Sequence, residues 1–435
     1  MSEQVDASIA TLVGSRSGPL KGMIRVPGDK SMSHRALILG GLARGETQIS
    51  GLLEGDDVLH TAEAVRALGA EVERMSAGDW RVRGAKWCSP GEPIDCGNSG
   101  TGVRLLMGAV AGFPISVTFT GDRSLSSRPM ERVLAPLRAM GARTESSMLP
   151  VAITGGDLRG ISFVNEKASA QVKSAILFAG LHAAGEIEVI EPRPSRDHSE
   201  NMLRAFGCEI EADGGVIRLG PRRELTGTSV SIPGDPSSAA FPIVAGLIVP
   251  GSAVTVRNVM TNPLRSGLLT TLREMGANLQ LKNERVEGGE LVSDVSVESS
   301  DLKGVEVPAA RAPSMIDEYP ILAVAASFAK GTTVMHGLAE LRVKESNRLA
   351  AMVAGLRANG VKAWEEGDSL VVEGAGEPPQ GGADVLAHHD HRIAMSFLVM
   401  GLGAAQPVGV DSANMIATSF PNFVSLMQSL GGRIS

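Results

Sequence analysis

Apolar residues spaced i, i+3 and i+4 run into a glycine six times along this chain. The stretches read AVRALGA (64–70), PLRAMGA (136–142), MLRAFGC (202–208), TLREMGA (271–277), GLRANGV (355–361) and, more degenerate, LMQSLGG (426–432). That spacing is the face of an amphipathic helix, and a glycine just past the last turn supplies the left-handed residue that ends one. Beyond the glycine the period changes to two: Ala70-Glu71-Val72-Glu73, Ala277-Asn278-Leu279-Gln280 and Val361-Lys362-Ala363-Trp364 predict strands. Earlier in each interval a polar anchor opens a second, more apolar helix: GDKSMSHRALILGGLA, GNSGTGVRLLMGAVAG, KASAQVKSAILFAGL, GDPSSAAFPIVAGLI, IDEYPILAVAASFA and DHRIAMSFLVMGLGA.

The signature glycines Gly69, Gly141, Gly207, Gly276, Gly360 and Gly431 predict six copies of one mixed unit. VPGDKSMSHRALI near residue 26 returns as IPGDPSSAAFPIV near 232, which divides the six copies into two halves of three. The pairs Pro27-Gly28 and Pro233-Gly234 are natural turn or hinge elements, so the crossovers are expected there. The expected domains are 27–234, and 1–26 together with 235–435. The fold class is α/β (α+β), with two similar domains. A solenoid of six stacked units is the alternative, and the irregular spacing and lack of capping units weigh against it.

Composition narrows the function classes. A chain of 435 residues suits two domains, and with 43% hydrophobic but 3% aromatic residues the cores must be aliphatic. The net charge of −7, with no long Lys/Arg run, excludes nucleic acid as the expected partner. An anionic ligand must then be held by a local basic cluster working against the global field. Cys88, Cys96 and Cys208 form no CxxC and no paired framework, which predicts a reducing compartment and no zinc site. No run approaches the ~18 apolar residues of a membrane span, and MSEQVDASIATLVGSRSG lacks the basic and apolar regions of a secretory signal. A cytoplasmic monomer acting on small molecules is expected.

The anchors carry the candidate chemistry. Ser, Thr, Asp and Asn at helix starts are ordinary caps. Cations there are not, because the helix N-terminus already carries partial positive charge. Lys30, Arg35, Arg104, Lys167, Lys173 and Arg392 all lie at such starts, so an anion site at converging helix ends is the economical reading. A mononucleotide site is excluded, since neither GxxxxGK[ST] nor a GxGxxG after a strand is present. Gly97-Asn98-Ser99-Gly100-Thr101-Gly102 is either a tight turn or a backbone that admits a ligand closely. In VKESNRL, Lys344, Glu345 and Arg348 span one helical turn and could be a solvated ion-pair face. Asp317-Glu318 could merely cap the helix that follows.

Seven motifs in order, VPGDKSMSHRAL, GNSGTGVRLL, GDRSLSSRPM, ASAQVKSA, IDEYPILA, LRVKESNRL and DHRIAMSF, resemble the 3-phosphoshikimate 1-carboxyvinyltransferases, or 5-enolpyruvylshikimate-3-phosphate synthases. The resemblance spans nearly the whole chain. It implies two domains, each of three βαβαββ units with the site in the cleft between them, and a reaction without metal or organic cofactor. It implies that Lys30, Ser31, Arg35, Ser169, Gln171, Arg196, Asp317 and Lys344 contact shikimate 3-phosphate. Lys30, Gly100, Arg128, Gln171, Arg348 and Arg392 would contact phosphoenolpyruvate, with Asp317, Glu345 and Lys30 catalytic. Gly100 would also lie beside glyphosate, a longer inhibitor of the same pocket. Ala170 stands where many members have a second serine, and Ala417-Thr418-Ser419-Phe420-Pro421 lacks the lysine many members carry there. The sister enzymes that use UDP-N-acetylglucosamine rely on a loop cysteine, which GDRSLSSRPM does not contain. A non-catalytic phosphosugar binder would lack the carboxylates Asp317 and Glu345, and both are present.

Overall fold

All six helix-ending glycines are left-handed: φ is +110° at Gly69, +118° at Gly141, +89° at Gly207, +91° at Gly276, +82° at Gly360 and +99° at Gly431. The helices they end are Asp56–Ala67, Glu131–Met140, His198–Ala205, Gly267–Glu274, Arg348–Ala358 and Phe423–Ser429. The computed structural model describes residues 11–435. Residues 1–10, part of the segment in which no secretory-signal pattern was found, lie outside the described residues.

Among the described residues six four-stranded sheets accompany these helices. The third shows the common plan. Arg159–Val164 pairs in parallel with Ala184–Ile190, which pairs antiparallel with Val216–Leu219, itself antiparallel to Ile210–Asp213. The anchored helix Ala170–Gly180 links the first two strands, and His198–Ala205 links the second to the third in chain order. This is a βαβαββ unit. Two sheets borrow their first strand from another part of the chain: Ser229–Ser231 pairs with Glu46–Ser50, and Lys21–Arg25 pairs with Ala253–Met260.

The chain resolves into two compact units, one of Pro27–Pro233 with Val286–Leu291, the other of residues 11–26, Gly234–Arg285 and Val292–Ser435. Relative to the boundaries read from sequence, Gly234 moves to the second unit and the hairpin tip Val286–Leu291 to the first.

In each unit the anchored helices pack on one another at the centre. In the first, Gly100–Ala111 lies against both Lys30–Leu42 and Ala170–Gly180. Gly108 allows the closer approach, because a Cβ there would come within 2.3 Å of the Ala175 carbonyl oxygen. In the second, Pro236–Ile248, Tyr319–Phe328 and His391–Gly403 pack mutually and are buried along nearly their whole length. Burying each Leu, Ile or Val of these helices contributes ~1.5–3 kcal/mol.

Candidate active site

Helix starts position the first unit's candidates, and side-chain caps fix where the helices start. Asp29 accepts from the Met32 amide at 2.7 Å, Ser99 from Gly102 at 3.1 Å and Ser169 from Val172 at 3.5 Å. Lys30 and Ser31 thus open one helix, Gly100 another and Gln171 a third.

Arg35 is buried one turn inside the first helix. Its guanidinium donates to Ser199 Oγ, the Ser31 carbonyl and Ser174 Oγ, each at 2.8 Å. Burial pushes its pKa down to about 10 against the opposing charges of Asp29 and Glu200, and the nearby positive charge of Arg196 adds a smaller push downward. Lys30 forms an ion pair with Asp57 of the next helix.

Gly100, Arg128 and Gln171 come together around Arg104. Arg104 Nη1 donates to the Gly100 carbonyl at 2.9 Å and to Gln171 Oε1 at 3.2 Å, while Gln171 Nε2 donates to Thr101 Oγ1 at 2.8 Å. Arg128 Nη2 donates to Asn98 Oδ1 at 2.6 Å and Ser124 Oγ at 3.1 Å. The bare Cα of Gly100 faces this pair of arginines: a Cβ would lie 3.0 Å from Nη1 of each. Arg104 was legible only as a cation at a helix start, and its bridging role was not.

In the second unit the candidates form one cluster around Arg348, which is 1% exposed. Its Nε donates to Asp390 Oδ2 at 2.8 Å, its Nη1 to Asp317 Oδ1 at 3.2 Å and its Nη2 to Glu345 Oε2. Burial alone lowers the pKa of such a group, but the negative charges of Asp390, Glu345 and Asp317 outweigh it and hold Arg348 above its ordinary value. Lys344 Nζ lies 3.3 Å from Asp317 Oδ1, and Arg392 Nη1 donates to the Asp317 carbonyl at 3.2 Å. Asp390 caps the helix His391–Gly403 by accepting from the Arg392 amide at 3.0 Å.

Three sequence expectations are corrected. Lys344, Glu345 and Arg348 do not share a helical turn, because the helix begins at Arg348 with Asn347 as its cap. Asp317 does not cap the next helix, and Glu318 at the cap position makes no side-chain cap bond; Glu318 instead accepts from the buried Arg265 at 2.8 Å. The rule that a cation at a helix start marks an anion site fails for Lys173, whose Nζ is 2.9 Å from Glu191 Oε2 and 2.7 Å from Glu200 Oε1. Asp390 was missed as a site residue, although the motif DHRIAMSF contains it.

Among the described residues one cluster could offer a metal three ligand atoms, Asp197, His198 and Glu290, within 4.8 Å of one another. A hydrogen bond accounts for its core, with His198 Nδ1 2.8 Å from Glu290 Oε1. No helix among the described residues is long and apolar enough to cross a membrane.

The family model for EPSP synthase (3-phosphoshikimate 1-carboxyvinyltransferase) matches residues 15–427. A protein of Parvibaculum lavamentivorans named 3-phosphoshikimate 1-carboxyvinyltransferase is 58% identical, over 99% of this chain and 98% of its own. One of the same name from Caulobacter vibrioides is 56% identical, over 98% and 99%. A solved EPSP synthase structure from Acinetobacter baumannii matches with a TM-score of 0.88 and 42% identity, covering 98% of this chain and 99% of that one. With the match running almost from end to end in both sequence and structure, the chain belongs to the EPSP synthase family.

Proposed function

We propose that this protein transfers the enolpyruvyl group of phosphoenolpyruvate to the 5-hydroxyl of shikimate 3-phosphate and releases phosphate, a step toward chorismate and the aromatic amino acids. The names of its relatives support this substrate pair. The observation that carries the chemistry is the cluster in which Arg348 holds both Asp317 and Glu345 by hydrogen bonds.

Addition of the 5-hydroxyl to C2 of phosphoenolpyruvate removes a proton from oxygen and places one on C3. Elimination then takes a proton from C3 and expels phosphate. Two acid–base groups in fixed positions are required. Asp317 serves the 5-hydroxyl, and Glu345 exchanges the C3 proton together with Lys30. Tying two carboxylates to one buried guanidinium fixes them at a constant separation, which is the orientation such a double transfer needs.

Arginine's planar fork suits the carboxylate and phosphate oxygens of phosphoenolpyruvate, which gives roles to Arg128, Arg348 and Arg392 and to the loop at Gly100. Shikimate 3-phosphate takes Lys30, Ser31, Arg35, Ser169, Gln171, Arg196, Asp317 and Lys344. In the second unit Arg348 is already engaged by protein carboxylates, so its first service is to orient Asp317 and Glu345. The unit of Pro27–Pro233 with Val286–Leu291 thus contributes most of the phosphosugar contacts, and the other unit contributes Asp317, Lys344 and Glu345. The enzyme works as a cytoplasmic monomer without metal or organic cofactor, and its three free cysteines suit a reducing compartment.

Phosphate release from phosphoenolpyruvate tests the reading. It is expected with shikimate 3-phosphate, in the presence of a chelator, and not with UDP-N-acetylglucosamine. Turnover with the UDP-sugar alone refutes it.

A further inference from the structure

Glu191 is a buried carboxylate that collects four donors. Its Oε1 accepts from Asn165 Nδ2 at 2.7 Å and Ser195 Oγ at 2.5 Å, and its Oε2 from Lys173 Nζ at 2.9 Å and the Ser195 amide at 3.1 Å. Lys173 and Glu200, the other members of this buried ion network, are 1% and 2% exposed. Taking such charges out of water is costly, and a hydrophobic replacement often does as well for stability. What a satisfied buried network does supply is a fixed geometry.

The geometry it fixes lies at the ends of two neighbouring strands. Arg159–Val164 and Ala184–Ile190 are parallel, with Val164 opposite Ile190, so the turns that leave them emerge side by side at their carboxyl ends. That is where open α/β sheets bind ligands. The first turn is clamped by Asn165, which accepts from the Ser169 amide at 3.2 Å and donates to the Ser169 carbonyl at 3.1 Å. The second turn is clamped at Ser195, whose hydroxyl and amide both go to Glu191 and which directly precedes Arg196. Glu191 therefore joins the turn that presents Ser169 to the turn that presents Arg196.

We propose that Glu191 is a positioning residue for the phosphate of the phosphosugar substrate, setting the separation of Ser169 and Arg196 through Asn165 and Ser195. This rests on the reading above that Ser169 and Arg196 contact shikimate 3-phosphate. The carboxylate touches no substrate. Its four donors demand two acceptor oxygens with full lone-pair capacity, and Glu191→Gln replaces one with an amide that must face donors. Asn165 or Ser195 is then repelled, and its turn shifts. Glu200 enters this network through Lys173 Nζ and not through Asn165 or Ser195, so Glu200→Gln disturbs the same ion network without breaking the bridge.

The test measures binding of shikimate 3-phosphate and of unphosphorylated shikimate by calorimetry, with steady-state kinetics on the same proteins. Glu191→Gln is expected to weaken shikimate 3-phosphate about ten- to hundredfold, by the standard of geometric misplacement, and to change shikimate affinity less than about threefold. The KM for phosphoenolpyruvate should hold. Glu200→Gln should lower thermal stability but keep shikimate 3-phosphate affinity within about threefold. If Glu191→Gln does not fold, Asn165→Ala, which cuts only the first turn, is expected to give the same phosphate-selective loss. Equal losses for both ligands, or equal behaviour of the Glu191 and Glu200 variants, overturns the proposal. Failure of the unaltered protein to bind shikimate 3-phosphate instead overturns the functional reading on which it rests.

Discussion

Replacing Gly100 by alanine adds one methyl group at a place where the structure states what it meets. The Cβ would stand 3.0 Å from Arg104 Nη1, 3.0 Å from Arg128 Nη1 and 3.8 Å from Leu125 Cδ1, against an ordinary contact of 3.4–4 Å. Both guanidiniums must therefore give by about 0.4 Å or more. Neither is loose: Arg104 Nη1 is held by Gly100 and Gln171, and Arg128 by Asn98 and Ser124. The backbone offers no objection, since Gly100 begins the helix Gly100–Ala111 and is absent from the left-handed glycines. Stability should hold, and the cost should fall on ligands gripped by these arginines. Overpacking of this kind costs about 1–3 kcal/mol, or roughly 5- to 150-fold in a binding constant. The longer inhibitor glyphosate should lose most of that and phosphoenolpyruvate less. Inhibition measured competitively against phosphoenolpyruvate in both forms decides it. The expected result is an inhibition constant that rises at least about tenfold more than the phosphoenolpyruvate KM, with an unchanged melting temperature. Equal changes in both constants, or a fall in melting temperature, would refute the reasoning and make Gly100 a residue of the turn.

Asp317→Asn and Glu345→Gln each preserve shape, so each should leave shikimate 3-phosphate affinity nearly intact while lowering kcat by roughly 10²–10⁴-fold; near-normal turnover in both assigns them to ion pairing alone. Gly207→Ala isolates backbone strain, because φ is +89° and nothing lies within 4 Å of the added Cβ; denaturant unfolding should report a loss of about 1–2 kcal/mol. Gly108→Ala has no such φ but a carbonyl at 2.3 Å, and should cost more. His34 is buried, with Nδ1 2.8 Å from Thr61 Oγ1, and burial first, then the charges of Lys30 and Arg35, hold its pKa well below 6.5. A depressed histidine binds fewer protons folded than unfolded, so its share of stability is complete above pH 6.5 and is lost as the pH falls. His34→Gln should flatten the dependence of melting temperature on pH below 6.5, and an unaltered slope counts against this assignment.

The repeats were legible because their signals are local. A helix end needs one glycine and a helix face needs four or five residues, so AVRALGA and its relatives carry their own instructions. The anchors were legible as helix starts for the same reason, and five of the six prove to be side-chain caps: Asp29, Ser99, Ser169, Asp235 and Asp390. VKESNRL misled because Lys344, Glu345 and Arg348 have helical spacing, while the helix begins only at Arg348, with Asn347 as its cap. The ties that make a site are of another order. Arg348 meets Asp317 and Asp390 across 31 and 42 residues, and Arg104 meets Gln171 across 67. No periodicity encodes such pairs.

Cations at helix starts look alike in sequence, and only their partners separate structural from ligand-binding roles. Lys173 sits between two carboxylates, Glu191 and Glu200, and is balanced by the protein itself. Arg348 is likewise met by Asp390, Asp317 and Glu345. The hydrogen bonds of Arg35 go to neutral oxygens, two serine hydroxyls and a carbonyl. Neutral acceptors satisfy the geometry of a guanidinium without offsetting its charge. Burial weakens the hold of Arg35 on its proton, the charges of Asp29 and Glu200 oppose that, and the positive charge of Arg196 adds a smaller push the same way as burial. Asp29, Glu200 and Glu290 support the Arg35 proton through their charge, whereas Arg348 is hydrogen-bonded to the three carboxylates that hold its own.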